Sequence, residues 1–134
     1  MKQVKLDSGA TLGITPSPFL DAKELYQAVL RELRGIPIKS KEEMGELIKN
    51  LFVVGFSSLD VERCLWKCFE RCTYDSGKGP LKIDKDTFEP VEARQDYMKV
   101  CIEVGKENID PFVKSLYAEY RTLLAQMEKD DTPK

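Results

Sequence analysis

The residues best suited to chemistry are three cysteines spaced four apart, Cys64, Cys68 and Cys72, with a fourth at Cys101. Thiolates at close spacing bind zinc or iron, or work as redox pairs. A structural zinc site takes a close Cys pair with two intervening residues on a turn, plus a second pair. A radical cluster takes Cys-x3-Cys-x2-Cys, and the present pattern misses that by one residue. On a helix the three sulfurs share one face with Val61 and Leu65, the usual setting of small buried thiols. The expectation is therefore reduced cysteines, no metal and no cofactor. The chain has no histidine, so it lacks the commonest general base and the commonest metal ligand. Ser-His-Asp and Cys-His nucleophile systems are impossible within it.

Other candidates fall away in turn. Asp84-x-Asp86 opens like a calcium loop, but the required Gly would be Glu89 and the bidentate Glu would be Gln95. Gly77-Lys78-Gly79 lacks the strand-loop-helix framework of a phosphate-binding loop and reads as a turn. Glu42/Glu43 and Asp60/Glu62 are first-turn acids favoured by the helix dipole. Trp66 lies beside the cysteine face, where core or rim is the ordinary placement and a binding anchor the alternative. No catalytic set emerges, and an enzyme is not expected.

The elements that would position these residues are mostly helical. Residues 3–15 alternate around a Gly-containing turn and predict a β-hairpin over 1–15. A helix starts near Asp21, with Glu24 as capping-box partner and Leu20/Leu25 as staple. It carries Leu25, Tyr26, Val29, Leu30 and Leu33, and stops at Gly35 and Pro37. A second helix begins at Ser40 and runs into the apolar stretch Phe52–Phe56. Ser57 and Asp60 cap a third, whose apolar set runs from Val61 to Cys72. Tyr74–Pro80 reads as a loop. Leu81–Asp84 alternates and fits a third strand against the hairpin. A fourth helix enters near Pro90. A fifth starts at Asp110-Pro111, where proline's fixed φ suits the first helical position. Its stripe is Phe112, Val113, Leu116, Tyr117, Tyr120, Leu123, Leu124 and Met127, and residues 129–134 form a frayed tail. The expected fold is mainly α: one domain over 1–134, a compact bundle of about five helices with a small N-terminal β-hairpin.

Composition narrows the function classes. The chain has 134 residues, 42% of them apolar, with 23 acidic against 21 basic side chains and a net charge of -2. That balance disfavours nucleic acid as a partner. The longest apolar run, Leu51–Phe56, falls far short of the ~20 residues of a membrane span. The N-terminus has no apolar signal region, so a cytoplasmic location is expected. What remains is apolar helical surface. Either all of it closes on one core or another chain covers part of it. Self-association is expected on the second view. The partner-binding face assigned from the stripe is Leu116, Tyr117, Tyr120 and Leu124.

Five stretches carry a resemblance over nearly the whole chain. They are Lys5-Leu6-Asp7-Ser8-Gly9-Ala10 through Ile14-Thr15-Pro16-Ser17-Pro18-Phe19, then Asp21–Leu30, Val54-Gly55-Phe56-Ser57-Ser58, Lys82–Pro90, and Asn108-Ile109-Asp110-Pro111-Phe112. Together they resemble the tail assembly chaperones of long-tailed (siphovirus-type) bacteriophages. The resemblance implies a small helical protein, in the cytoplasm of the bacterial host, that coats the long apolar tape measure protein. It would keep that protein soluble until tail tube protein displaces it. The family often adds a longer product by ribosomal frameshifting, and it has no catalytic residues to carry over. Two other classes stand beside it: a structural head-tail connector or tail completion subunit, and a small dimeric regulatory protein.

Overall fold

The computed structural model describes residues 1–32, Glu46 and 58–130; in the last helix, side chains are described through Ser115 and at Ala118. In chain order the elements are β1 (Lys2–Lys5), β2 (Thr11–Ile14), α1 (Phe19–Glu32), α2 (Leu59–Phe69), β3 (Cys72–Asp75), β4 (Leu81–Lys82), α3 (Val91–Arg94) and α4 (Tyr97–Asp130).

The sheet is antiparallel throughout, in the order β1-β2-β3-β4. A tight turn closes its first hairpin: the Gly9 amide donates to Leu6 O at 3.0 Å and the Leu6 amide to Ala10 O at 2.9 Å. Gly9 has φ of 95°, a conformation glycine adopts without a Cβ clash. Leu12 and Ile14 of β2 point inward together with Cys72 and Tyr74 of β3, and the described helices all pack on that side. Leu25, Ala28 and Val29 of α1, Val61, Leu65 and Phe69 of α2, and Val100, Val104 and Ile109 of α4 complete the core. The opposite sheet face carries Gln3, Lys5, Thr11, Thr73 and Asp75, which suits a sheet packed on one side.

The fold is thus a four-stranded antiparallel sheet with, among the described residues, four helices, and not the mainly α, five-helix bundle that periodicity suggests. Three local events make the difference. First, α2 stops at Phe69: the Glu70 and Arg71 amides reach back to Lys67 O and Cys68 O at 3.3 and 3.4 Å, tightening the last turn. Cys72 therefore begins β3 and does not continue the helix. A residue in phase with a helical stripe is here equally in phase with Tyr74 on the inner face of a strand, so period alone could not separate the two. Tyr74 and Asp75 likewise belong to β3, not to a loop.

Second, Leu81–Lys82 does form a strand, but it pairs with β3, which separates it from the hairpin. Third, α4 is continuous through Pro111, so the expected fourth and fifth helices are not divided there; the segment after Pro90 is only the single turn α3. Pro111 removes one donor, the one that Glu107 O would take. Asp110 and Pro111 are exposed, while Asn108 and Ile109 on the other face are buried. Packing of that face carries the helix across the break.

The helix starts also shift. α1 begins at Phe19, with the Ala22 amide on Pro18 O at 3.1 Å, and Glu24 turns to α2 instead of closing a capping box. The cap of α2 is Ser58, whose Oγ accepts from the Val61 amide at 3.3 Å. The expected stop at Gly35 and Pro37, the helix from Ser40 to Phe56 apart from helical Glu46, and Ser57 lie outside the described residues.

Candidate functional site

The cysteines come first. All four thiols are buried and none is in a disulfide. Burial pushes the thiols of Cys68 and Cys72 up to about 11 and that of Cys101 to about 12, and raises Cys64 as well. Such thiols stay protonated and are poor nucleophiles. Among the described residues no group of three His, Cys, Asp or Glu could hold a metal ion. Asp84 spends one carboxylate oxygen on the Asp86 amide at 2.8 Å and on the Thr87 hydroxyl at 3.4 Å, a local turn. Trp66 is half-buried. It meets Phe69 edge-on at 4.9 Å and donates from Nε1 to the Tyr97 hydroxyl at 2.9 Å, so it is a rim residue of the core.

One polar group in the interior went unnoticed in the sequence. Asp96 is fully buried just before α4. Its carboxylate accepts the Ser8 amide at 3.1 Å, the Ser8 hydroxyl in a short bond, and the Tyr74 hydroxyl at 2.7 Å. Ser8 lies in the first hairpin turn and Tyr74 in β3, so the carboxylate ties turn, sheet and helix together. The only legible signal was an Asp directly ahead of the Tyr97–Cys101–Val104 stripe, at a helix start where a carboxylate meets the positive end of the dipole. The contact is a staple.

The apolar surface is more informative. Phe19 and Leu20, in the first turn of α1, are 64% and 71% exposed. Behind them Tyr26 stacks on Phe112 of α4, with ring centroids 5.1 Å apart and planes 14° from parallel; Phe19 meets the same Phe112 at 6.0 Å. Burial raises the Tyr26 hydroxyl above its ordinary value. α1 and α4 thus present a joined aromatic patch whose outer edge is in water.

Phe112 and Val113 are the last half-buried side chains along the continuously described part of α4; Lys114, Ser115 and Ala118 are exposed. The helix continues to Asp130, about 27 Å beyond Phe112 at 1.5 Å per residue. Leu116, Tyr117, Tyr120 and Leu124, the expected partner face, are on this continuation, and their side chains lie outside the described residues. The structure places their backbone on the same helix as Phe112.

Beside the patch, α1 and α2 are joined by ion pairs. Asp60 accepts from Arg31 in a short contact and from Arg63 Nη2 at 2.9 Å, and Glu24 accepts from Lys67 at 3.1 Å. The bond from Arg31 holds the Asp60 carboxyl below its ordinary value, and the bond from Lys67 does the same for Glu24. These are exposed charges on flexible stems, so each adds little to stability and more to solubility.

A third feature is a cleft of about 640 Å³ at the β4 side of the sheet. Leu81, Ala10, Pro90 and Ala93 form its apolar part, and Lys78, Asp84, Asp86 and Glu92 are among its charged lining residues. The described helices contain none long and apolar enough to cross a membrane. No family model matches the chain, no curated protein matches it, and no solved structure matches it.

Proposed function

We propose that this protein is a phage tail assembly chaperone that binds the tape measure protein and keeps it soluble for tail tube assembly. The observation that carries the proposal is the exposed aromatic patch of Phe19, Leu20, Tyr26 and Phe112 at the root of a 34-residue helix. An apolar helix laid along α4 covers that patch. It also covers the positions of Leu116, Tyr117, Tyr120 and Leu124 on the same helix, the first choice for contact. Helix-on-helix contact through aromatic and aliphatic side chains tolerates many similar partner sequences, as a chaperone of a long repetitive rod requires. Many copies side by side on one rod gain avidity from neighbour contacts, which makes self-association on the partner part of the proposal. The resemblance to tail assembly chaperones supports the same choice.

The test is co-expression with the tape measure protein of the phage or prophage that carries this gene. Soluble tape measure protein that copurifies with many copies of this chain is the expected result. Phe19→Asp with Leu20→Asp removes apolar surface from two exposed positions and should abolish rescue with unchanged circular dichroism. Tyr120→Asp with Leu124→Asp probes the continuation of α4 in the same way. A tape measure protein that stays insoluble beside well-folded wild-type chain refutes the proposal. A closed ring formed without it would favour a head-tail connector.

A further inference from the structure

The two edges of the sheet are built differently. On β1, Lys99 Nζ donates to Lys5 O at 3.1 Å, and Lys2 pairs with Glu107 and Glu103 of α4 at 3.3 and 3.9 Å. That edge is tied to the helix layer. On β4 the Ile83 amide donates to Cys72 O at 3.1 Å. Alternation along an antiparallel ladder then turns the Lys82 N–H and C=O away from β3. The helix layer stops short of this edge. Leu81, on the core-facing side of the sheet opposite Tyr74, is consequently 69% exposed and forms part of the floor of the 640 Å³ cleft. That volume is ordinary for a ligand site.

The charges around the cleft are sorted along β4. Lys78 precedes the strand, and Asp84, Asp86 and Glu92 follow it; Lys82 pairs with Thr73, so its side chain leaves from the other sheet face. Among the described residues Lys78, Asp84, Asp86 and Glu92 form no ion pair with one another. An edge two residues long does not pair well with its own copy. Two-fold pairing about Lys82 sets two ammonium groups opposite each other, and pairing about Leu81 sets Lys82 opposite Pro80, which has no N–H. The occupant is therefore a different chain whose charges match those of the cleft.

We infer that the cleft beside β4 docks a short extended segment of a partner protein: a large aliphatic side chain sits over Leu81, a basic residue faces Asp86 and Glu92, and an acidic residue faces Lys78. Residues two apart in an extended segment point the same way, so acid, aliphatic and base fall at alternate positions. The Lys82 peptide group adds main-chain hydrogen bonds at the edge. This site is on different elements from the α1–α4 patch and does not depend on the chaperone proposal.

The experiment is a titration of the full-length, 15N-labelled chain with acetyl-Glu-Val-Leu-Val-Arg-amide. Shifts confined to amides near Leu81, Lys82 and Ala93 are expected. The analogue with Ser in place of Leu should bind more than tenfold more weakly, since burying one Leu is worth roughly 1.5–3 kcal/mol. Asp86→Lys with Glu92→Lys changes two exposed side chains, should leave thermal stability unaltered, and should weaken binding about tenfold. Lys82→Pro deletes only an outward-facing N–H and should weaken binding with the sheet intact. No shifts at about millimolar peptide overturn the inference, as do shifts centred on Phe19 and Phe112. Equal binding of the Ser analogue, or of the chain with both acids reversed, overturns it too.

Discussion

Replacing Asp96 tests whether the hairpin turn, β3 and α4 are held together by one buried carboxylate. The group is fully buried and receives three hydrogen bonds, two from Ser8 and one from Tyr74. A hydrogen bond to a charged group is worth about 1.5–3 kcal/mol net. The three do not add, because Ser8 is exposed and its amide and hydroxyl regain water once the acceptor is gone. Tyr74 is 8% exposed, so its hydroxyl recovers less. Asp96 also precedes α4 and loses the favourable end of its dipole, about 0.3–1 kcal/mol. Asp96→Ala should therefore cost about 3 kcal/mol, which at this size lowers Tm by roughly 10 °C. Asp96→Asn keeps the shape and one acceptor, but turns an amide N–H₂ towards the donors; about 1.5 kcal/mol is expected. Tyr74→Phe should cost about 1 kcal/mol, and much less once Asp96 is already Ala. Urea unfolding followed by circular dichroism measures the wild type and all four variants. A loss below about 1 kcal/mol for Asp96→Ala, or full additivity with Tyr74→Phe, would refute the staple.

Two further outcomes follow from the core and the sheet. The buried thiols of Cys68, Cys72 and Cys101 titrate in the folded chain at about 11, 11 and 12, above the ordinary value of 9.0. A raised thiol pKa stabilises the fold fully below the unfolded value and is lost as pH climbs through the folded one, so stability should fall from about pH 9 upward. Urea midpoints against pH check this, with Cys68→Ala and Cys72→Ala each flattening the alkaline limb; a flat wild-type curve to pH 11 speaks against it. Gly13 sits in β2 where an added Cβ would lie 2.5 Å from Thr73 Oγ1 and 2.8 Å from Met1 Sδ. Gly13→Ala should cost about 1–2 kcal/mol by overpacking, and Thr73→Ala should recover part of that; thermal melts of the single and double variants decide.

Local signals in the sequence determined a good deal. The alternation around Ser8-Gly9 specified the first hairpin, because one face of a sheet had to be apolar and the turn needed a residue free to take positive φ. The stripe of Leu25 and Val29, and that of Val61 and Leu65, marked two helices by their buried faces. The missing histidine excluded general-base or metal-ligand roles for that residue type within this chain.

Tertiary structure decided where those patterns stop. Cys72 suits a helix face and a strand face equally, and only the pairing of β3 with β2 assigns it. Pro111 looks like a helix start, yet burial of Asn108 and Ile109 carries α4 through it. Asp96 has no periodic signature, since its role depends on Ser8, 88 residues away in sequence. The same holds for the surfaces. Phe112 belongs to a stripe readable in the chain, but its joining with Phe19 and Tyr26 into an exposed patch depends on how α1 crosses α4. The cleft beside Leu81 exists because the helix layer ends before the sheet does. Periodicity reports which face of an element is apolar; which neighbour covers that face, and where the cover ends, is settled by packing between residues far apart in the chain.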